Sequence, residues 1–284
     1  MSDLAGRHCV ITGASRGLGA AIARAFHEHG AELTLVARSA ESLESVRRSL
    51  PCRPNAEVHL MAADLMDDDA PDRIIEFARS KWRRLDVVVN NAAIQGPIGP
   101  LEQNDAVAWR RAVQVNLLAP VRLDQLAVPW MRSGGGGKLI HIAGGGATSP
   151  RPFFTAYAAA KAALVRFAEC LAAETREARI DVNCVSPGAM RTTMLDEIRR
   201  AGAAAGPREM DAARKVFDEG GADPGRAAAL CVLLASARSD GLSGKLISAV
   251  WDPWERLTEL MPGLMSSDVW TLRRIVPEDR PGAV

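Results

Sequence analysis

Short apolar runs alternate with longer helical patterns along most of this chain, and that alternation leaves it few ways to fold. Strands are predicted at His8–Thr12, Leu33–Ala37, Val58–Ala62, Asp86–Val89, Lys138–Ile142, Asp181–Val185 and Lys245–Ala249. Several are apolar throughout rather than alternating, as strands covered on both faces should be. Between them, helical spacing predicts helices over Ala20–His29, Ala40–Leu50, Asp72–Lys81, Asp105–Met131 and Ala156–Ala178. The expectation is an α/β fold: a doubly wound parallel sheet of about seven strands with helices on both faces. One domain is expected over residues 1–250. Residues 251–284, with Trp251, Trp254, Trp270 and several prolines, read as an irregular extension on that domain or on a neighbouring subunit. The Ala-, Gly- and charge-rich stretch from Met190 to Asp223 shows no clear strand.

The first strand runs into a helix through Val10-Ile11-Thr12-Gly13-Ala14-Ser15-Arg16-Gly17-Leu18-Gly19. A strand–glycine turn–helix suits a dinucleotide pyrophosphate. Glycines permit the tight turn and the close approach of backbone to phosphate, and the helix N-terminus offers free N–H groups and a positive dipole end. The spacing is G-x-x-x-G-x-G, a variant of the usual Rossmann fingerprint. This makes Gly13, Ser15, Arg16, Gly17, Leu18 and Gly19 candidate cofactor contacts in a Rossmann-like domain. The second strand selects the cofactor. An NAD site carries a carboxylate near its end, but Leu33 to Ala40 contains none, and Arg38 follows directly. Arg38 and Arg16 together suit a 2′-phosphate, so the expected cofactor is NADP(H).

Tyr157 and Lys161 stand at i and i+4 on one predicted helical face, and Tyr157 is the only tyrosine in the chain. A phenol with a pKa near 10 becomes a useful proton donor and acceptor when neighbouring positive charge lowers it. Five scattered cysteines without a C-x-x-C fit reduced thiols, and the N-terminal residues lack a basic start ahead of an apolar run. A cytoplasmic protein without a signal peptide is expected. No apolar run approaches the roughly 20 residues of a membrane span, and a net charge of +1 gives no reason to expect nucleic acid. The histidines form no ligand pair, since His27 and His29 at i and i+2 face apart on a helix, so no metal is expected.

Taken in order, Thr12–Gly19, Asn90-Asn91-Ala92-Ala93, Asn116, Tyr157/Lys161 and Pro187-Gly188-Ala189-Met190-Arg191-Thr192 resemble the short-chain dehydrogenase/reductase family, from about Arg7 to Ala249. The resemblance implies an oxidoreductase acting on a small-molecule carbonyl or secondary alcohol. Tyr157 is then general acid in reduction and base in oxidation. Lys161 holds the nicotinamide ribose, and Asn116 holds a water that relays protons from Lys161. It further implies that Asp64 and Leu65 contact the adenine, that Asn91 and Ala93 line the cleft, and that Pro187, Gly188 and Thr192 meet the nicotinamide end. A mobile flap over the substrate follows the Pro187-Gly188 turn. By the same resemblance, the helices from Asp105 and Ala156 pair subunits into a homodimer or homotetramer.

One position departs from the family pattern. A serine usually stands thirteen residues before the tyrosine and donates to the substrate oxygen; here that position is Gly144. The sequence leaves three outcomes open. Thr148 or Ser149 could replace the hydroxyl, backbone N–H groups of the glycine turn could donate, or the chain could be a weakened NADP(H)-binding regulatory or scaffold protein. A further alternative keeps the cofactor but uses it for epimerisation or dehydration through a transient ketone.

Overall fold

The computed structural model describes residues 3–54 and 56–280; Met1, Ser2 and the last four residues of the expected extension lie outside them. Seven strands form one sheet: β1 (His8–Thr12), β2 (Glu32–Ala37), β3 (Val58–Ala62), β4 (Val87–Asn90), β5 (Gly137–Ile142), β6 (Ile180–Ser186) and β7 (Lys245–Ser248). Their spatial order is β3-β2-β1-β4-β5-β6-β7, and each neighbouring pair is parallel. The chain winds outward from β1 to β3, crosses back to β4, and then winds the other way. Beyond the carboxyl ends of β1 and β4 lies the switch point, where sheets of this kind open a crevice for ligands.

The period-two geometry of a strand distributes its side chains to two cores. Cys9 and Ile11 of β1 and Val87 and Val89 of β4 face one side. There α1 (Gly17–Glu28) and α9 (Pro224–Ala235) cover them with Ile22, Phe26, Leu230 and Leu234. Val10 and Val88 face the other side. That side is covered by α3 (Ala70–Lys81), α5 (Ala119–Ser133) and α6 (Thr155–Thr175), through Ile74, Leu123 and Val165. α2 (Ala40–Ser49) follows β2 and is capped by Ser39, whose hydroxyl accepts from the Ser42 N–H.

The strands lie within one residue of their expected positions, but three segments differ from expectation. The helix expected over Asp105–Met131 is broken into α4 (Ala106–Val113), a π turn at Gln114–Leu118, and α5. The stretch from Met190 to Asp223 contains α7 (Thr193–Ala201) and α8 (Pro207–Glu219), which bury Leu195, Ile198, Ala213 and Val216 against Phe154. The extension after β7 contains α10 (Leu257–Met265), and Trp254, Leu257 and Leu264 join the core beneath α1 and α9. Among the described residues, no helix is long and apolar enough to cross a membrane.

Phe26 is fully buried between α1 and the sheet. Replacing it with alanine removes a large apolar side chain and leaves a cavity, at a cost of about 3–5 kcal/mol. The Phe26→Ala protein is therefore expected to unfold at clearly lower urea concentration with an unchanged slope; an unshifted midpoint would contradict the packing described.

Candidate active site

At the switch point one hydroxyl joins the two central strands. The Thr12 Oγ1 donates to the Val89 carbonyl (3.3 Å) and accepts from the N–H groups of Asn91 (3.0 Å) and Ala92 (3.1 Å). The Asn91 carboxamide donates in return to the carbonyls of Thr12 (2.9 Å) and Gly13 (3.2 Å). Asn91 thus holds the glycine turn from the side. Gly13 has φ +66°, and a Cβ there would lie 2.8 Å from the Ala92 Cα. A Cβ on Gly19 would come closer than 3.0 Å to the Gly13 carbonyl. Only glycine lets α1 approach its own turn this closely.

The α1 N-terminus has no acidic residue in its first turn and no side-chain cap, which leaves its N–H groups facing the crevice. Arg16, its N-cap, and Arg38, just past β2, are both exposed. Beyond β3, Asp64 Oδ1 accepts from the Met66 N–H at 3.0 Å, and Leu65 is buried. Ser15 and Ala93 are half-buried, while Leu18 is buried at the start of α1. On the far wall, Gly188 has φ +85°, and a Cβ there would strike Val250 and Ala222. Thr192, the N-cap of α7, reaches back so that its methyl would sit 3.7 Å from a Cβ on Gly17. Glycine turn and Pro187–Thr192 segment therefore face each other across one cleft.

Tyr157 and Lys161 lie one turn apart near the start of α6, and both are buried. The Lys161 ammonium donates to the Ile142 carbonyl at 2.7 Å and lies 5.9 Å from the Tyr157 ring centre. Burial pulls the Lys161 pKa down to about 8, with Cys184 acting the other way. Burial raises the Tyr157 pKa above its usual value, and the Arg151 cation opposes it. Asn116, completely buried in the π turn, engages both sides of one residue: its Oδ1 accepts from the Ile94 N–H (3.0 Å) and its Nδ2 donates to the Ile94 carbonyl (2.8 Å). The π turn thereby anchors the loop after β4. The next residue, Gln95, is buried with neither carboxamide atom hydrogen-bonded among the described residues.

Gly144 lies directly against the phenol. A Cβ on it would come closer than 3.0 Å to the Tyr157 Oη. A side chain at 144 would have to displace the phenol from this position. Thr148 and Ser149 are exposed beyond the turn that Ala147 N–H closes onto the Gly144 carbonyl at 3.2 Å. Sequence reasoning missed Arg151. Its guanidinium carbon stands 4.0 Å from the Phe154 ring centre and 5.5 Å from that of Tyr157, and it is bound to Glu209 of α8. The available signal was its place as the only Arg or Lys between Gly144-Gly145-Gly146 and Tyr157. Among the described residues, no group of three or more His, Cys, Asp or Glu side chains is gathered to hold a metal.

Comparison with known proteins places the cleft in context. The family model described as short chain dehydrogenase matches residues 7–203. Nodulation protein G of Rhizobium sp. (strain N33) is 35% identical over 70% of this chain and 79% of its own. The L-fucose dehydrogenase of Bos taurus is 31% identical over 68% of this chain and 70% of its own. Among solved structures, L-sorbose reductase from Gluconobacter frateurii, complexed with NADPH and L-sorbose, superposes with a TM-score of 0.76 at 32% identity. That superposition covers 86% of this chain and 95% of the other.

Because the phenol occupies the space beside Gly144, adding a hydroxyl there should not improve the site. Gly144→Ser is expected to displace the ring and shift the ionisation midpoint of the single tyrosine, read by phenolate absorbance. A midpoint equal to that of the unmodified protein would show that the two groups coexist.

Proposed function

The chain belongs to the short chain dehydrogenase family of oxidoreductases, and from that premise we propose that it is an NADP(H)-dependent enzyme that interconverts a carbonyl and a secondary alcohol of a small molecule. The observation that carries the proposal is the buried Tyr157/Lys161 pair on α6, in a chain whose glycine turn and β4 loop are tied together at the switch point. A general acid and a dinucleotide cradle in one crevice make a hydride-transfer site.

The residues present fit the cofactor. Gly13, Ser15, Arg16, Gly17, Leu18 and Gly19 would take the pyrophosphate, since a Cβ at Gly13 or Gly19 would fill the approach and the helix end carries no competing carboxylate. Arg38 and Arg16 would take the 2′-phosphate; no carboxylate lies between Leu33 and Ala40 to repel it. Asp64 and Leu65 would border the adenine, Asn91 and Ala93 the cleft, Lys161 the nicotinamide ribose, and Pro187, Gly188 and Thr192 the nicotinamide. When bound, the nicotinamide supplies or accepts the hydride.

In reduction, Tyr157 gives its phenolic proton to the substrate oxygen; in oxidation it takes one. Lys161, protonated below about pH 8, would stabilise the phenolate that results. Asn116, by fixing Ile94, shapes the route along which protons would return to Lys161. The same reading carries a soluble homodimer or homotetramer in the cytoplasm. Leu101, Val107 and Leu118, exposed along α4 and its flanks, would supply apolar contact surface for it.

Tyr157→Phe is expected to retain NADPH binding while carbonyl reduction falls by about 10²–10⁴; undiminished turnover would end the assignment. For the unmodified protein, kcat/KM for NADPH should be level at low pH and decline as pH rises through about 8, where free enzyme loses the Lys161 proton. Arg38→Ala should weaken NADPH by about tenfold to a hundredfold, the worth of one charge-assisted hydrogen bond, and leave NADH unchanged. Equal affinities for the two cofactors in the unmodified protein would exclude NADP(H) preference.

A further inference from the structure

The turn at Gly144 lacks the serine of the family pattern, and the phenol fills the place a side chain there would occupy. Thr148 and Ser149 are exposed beyond the turn. A donor for the substrate oxygen can come from the backbone N–H groups of that turn or from a side chain beside it, and the neighbouring glycine shows which side chain stands there. A Cβ on Gly145 would lie 3.8 Å from the Arg151 Cδ and Nε and 4.0 Å from its Cζ. Phenol and guanidinium thus flank one dipeptide, Gly144-Gly145, which carries no side chain to separate them.

We propose that Arg151 is a catalytic residue: its guanidinium donates to the substrate oxygen beside Tyr157, in place of the serine that the family pattern has at position 144, and Glu209 of α8 holds it there. The inference rests on the reductase reading above. Three observations carry it. Arg151 is largely withdrawn from water, with a side-chain exposure of 14%, and it is stacked on the Phe154 ring. Its position is fixed, because Nε (3.0 Å) and Nη2 (2.8 Å) both donate to Glu209 Oε2. Its donor capacity is not exhausted, because a guanidinium has five N–H groups and this fork uses two. The Nη1 group remains to donate.

The chemistry balances without a further reactant. As hydride from a bound NADPH adds to the carbonyl carbon, with NADP⁺ as the oxidised product, the carbon–oxygen π pair would move onto oxygen and the Tyr157 hydroxyl proton would follow it. The products are the alcohol and a phenolate. Arg151 keeps all its protons and lowers the energy of the negative charge, first on the substrate oxygen and then on the phenolate. Glu209 belongs to α8, which follows α7 after the Pro187-Gly188 turn, so the donor would be set by the segment that the family resemblance makes a flap over the substrate.

The test compares Arg151→Met, Arg151→Lys and Glu209→Gln with NADPH and a panel of ketohexoses, cyclic diketones and β-keto esters. Arg151→Met is expected to lower kcat by about 10²–10³, with NADPH affinity unchanged. Arg151→Lys, which keeps the charge and serves if the methionine protein does not fold, should show an intermediate loss. Glu209→Gln should lose less than Arg151→Met. Phenolate absorbance of the only tyrosine gives a readout free of turnover: its midpoint should rise in Arg151→Met and move little in Glu209→Gln. Wild-type kcat in Arg151→Met overturns the proposal. So does equal impairment of Arg151→Met and Glu209→Gln with an unmoved phenol midpoint, which would make Arg151 only an anchor for α8. If the unmodified protein binds NADPH yet reduces nothing in the panel, the reductase reading fails instead. The phenol midpoint then decides alone, and no rise in Arg151→Met removes Arg151 from the reacting oxygen.

Discussion

The Thr12 hydroxyl is the point on which the cleft depends. Parallel strands that wind in opposite directions diverge at their carboxyl ends, and nothing in the sheet ladder holds those ends in register beyond the last backbone hydrogen bond. Thr12 Oγ1, with one donated and two accepted bonds, extends the join past the sheet. The Asn91 carboxamide closes it from the other side. A buried hydroxyl whose hydrogen-bonding capacity is filled in this way fixes the glycine turn relative to the loop after β4. That loop runs on to Ile94, which Asn116 grips at both its N–H and its carbonyl. The glycine turn and the loop that Asn116 holds thus rest on one connected set of polar contacts.

Electrostatics then divides the work between two cations. Lys161 is buried, and its ammonium, tied to the Ile142 carbonyl, gives up its proton more readily than an exposed lysine does. The Arg151 guanidinium stands beside the same phenol, 5.5 Å from its ring centre. A fully buried tyrosine with neither neighbour would hold its proton too firmly to serve as an acid. The opposing influence of Arg151 on Tyr157 is therefore of the sign that catalysis by a phenol requires. The ion pair with Glu209 commits two of the guanidinium N–H groups and leaves the rest free to face the phenol.

Much of this was legible in the sequence, for a physical reason. Strands buried on both faces read as apolar runs, so His8–Thr12, buried from Cys9 onward, could be bounded to the residue. The glycines at 13 and 19 are required by close backbone approach, which no other residue type permits. Helices α7 and α8 were not legible as helices. Each buries two core residues, Leu195 with Ile198 and Ala213 with Val216, against a small satellite cluster, so their apolar stripe is one turn deep. The break in the long helix before Ser133 was hidden as well, because a π turn changes no residue type and leaves the apolar pattern nearly continuous. Arg151 escaped because a cation in a loop reads as solvated until Glu209, 58 residues away, is seen to hold it.

The π turn at Gln114–Leu118 has a consequence for how this cleft can vary. A π turn closes with one residue more than an α turn, so it amounts to a single residue inserted into a regular helix. The wide turn takes up its extra residue, so the helix on either side keeps its phase. Removing one residue there would heal the backbone hydrogen-bond ladder and leave α4 packed on Gly96, but it would narrow the turn that carries Asn116 to Ile94. Substitutions at the other positions of the turn keep that width, whereas a one-codon deletion does not. In this stretch residue count is set by the reach of one carboxamide.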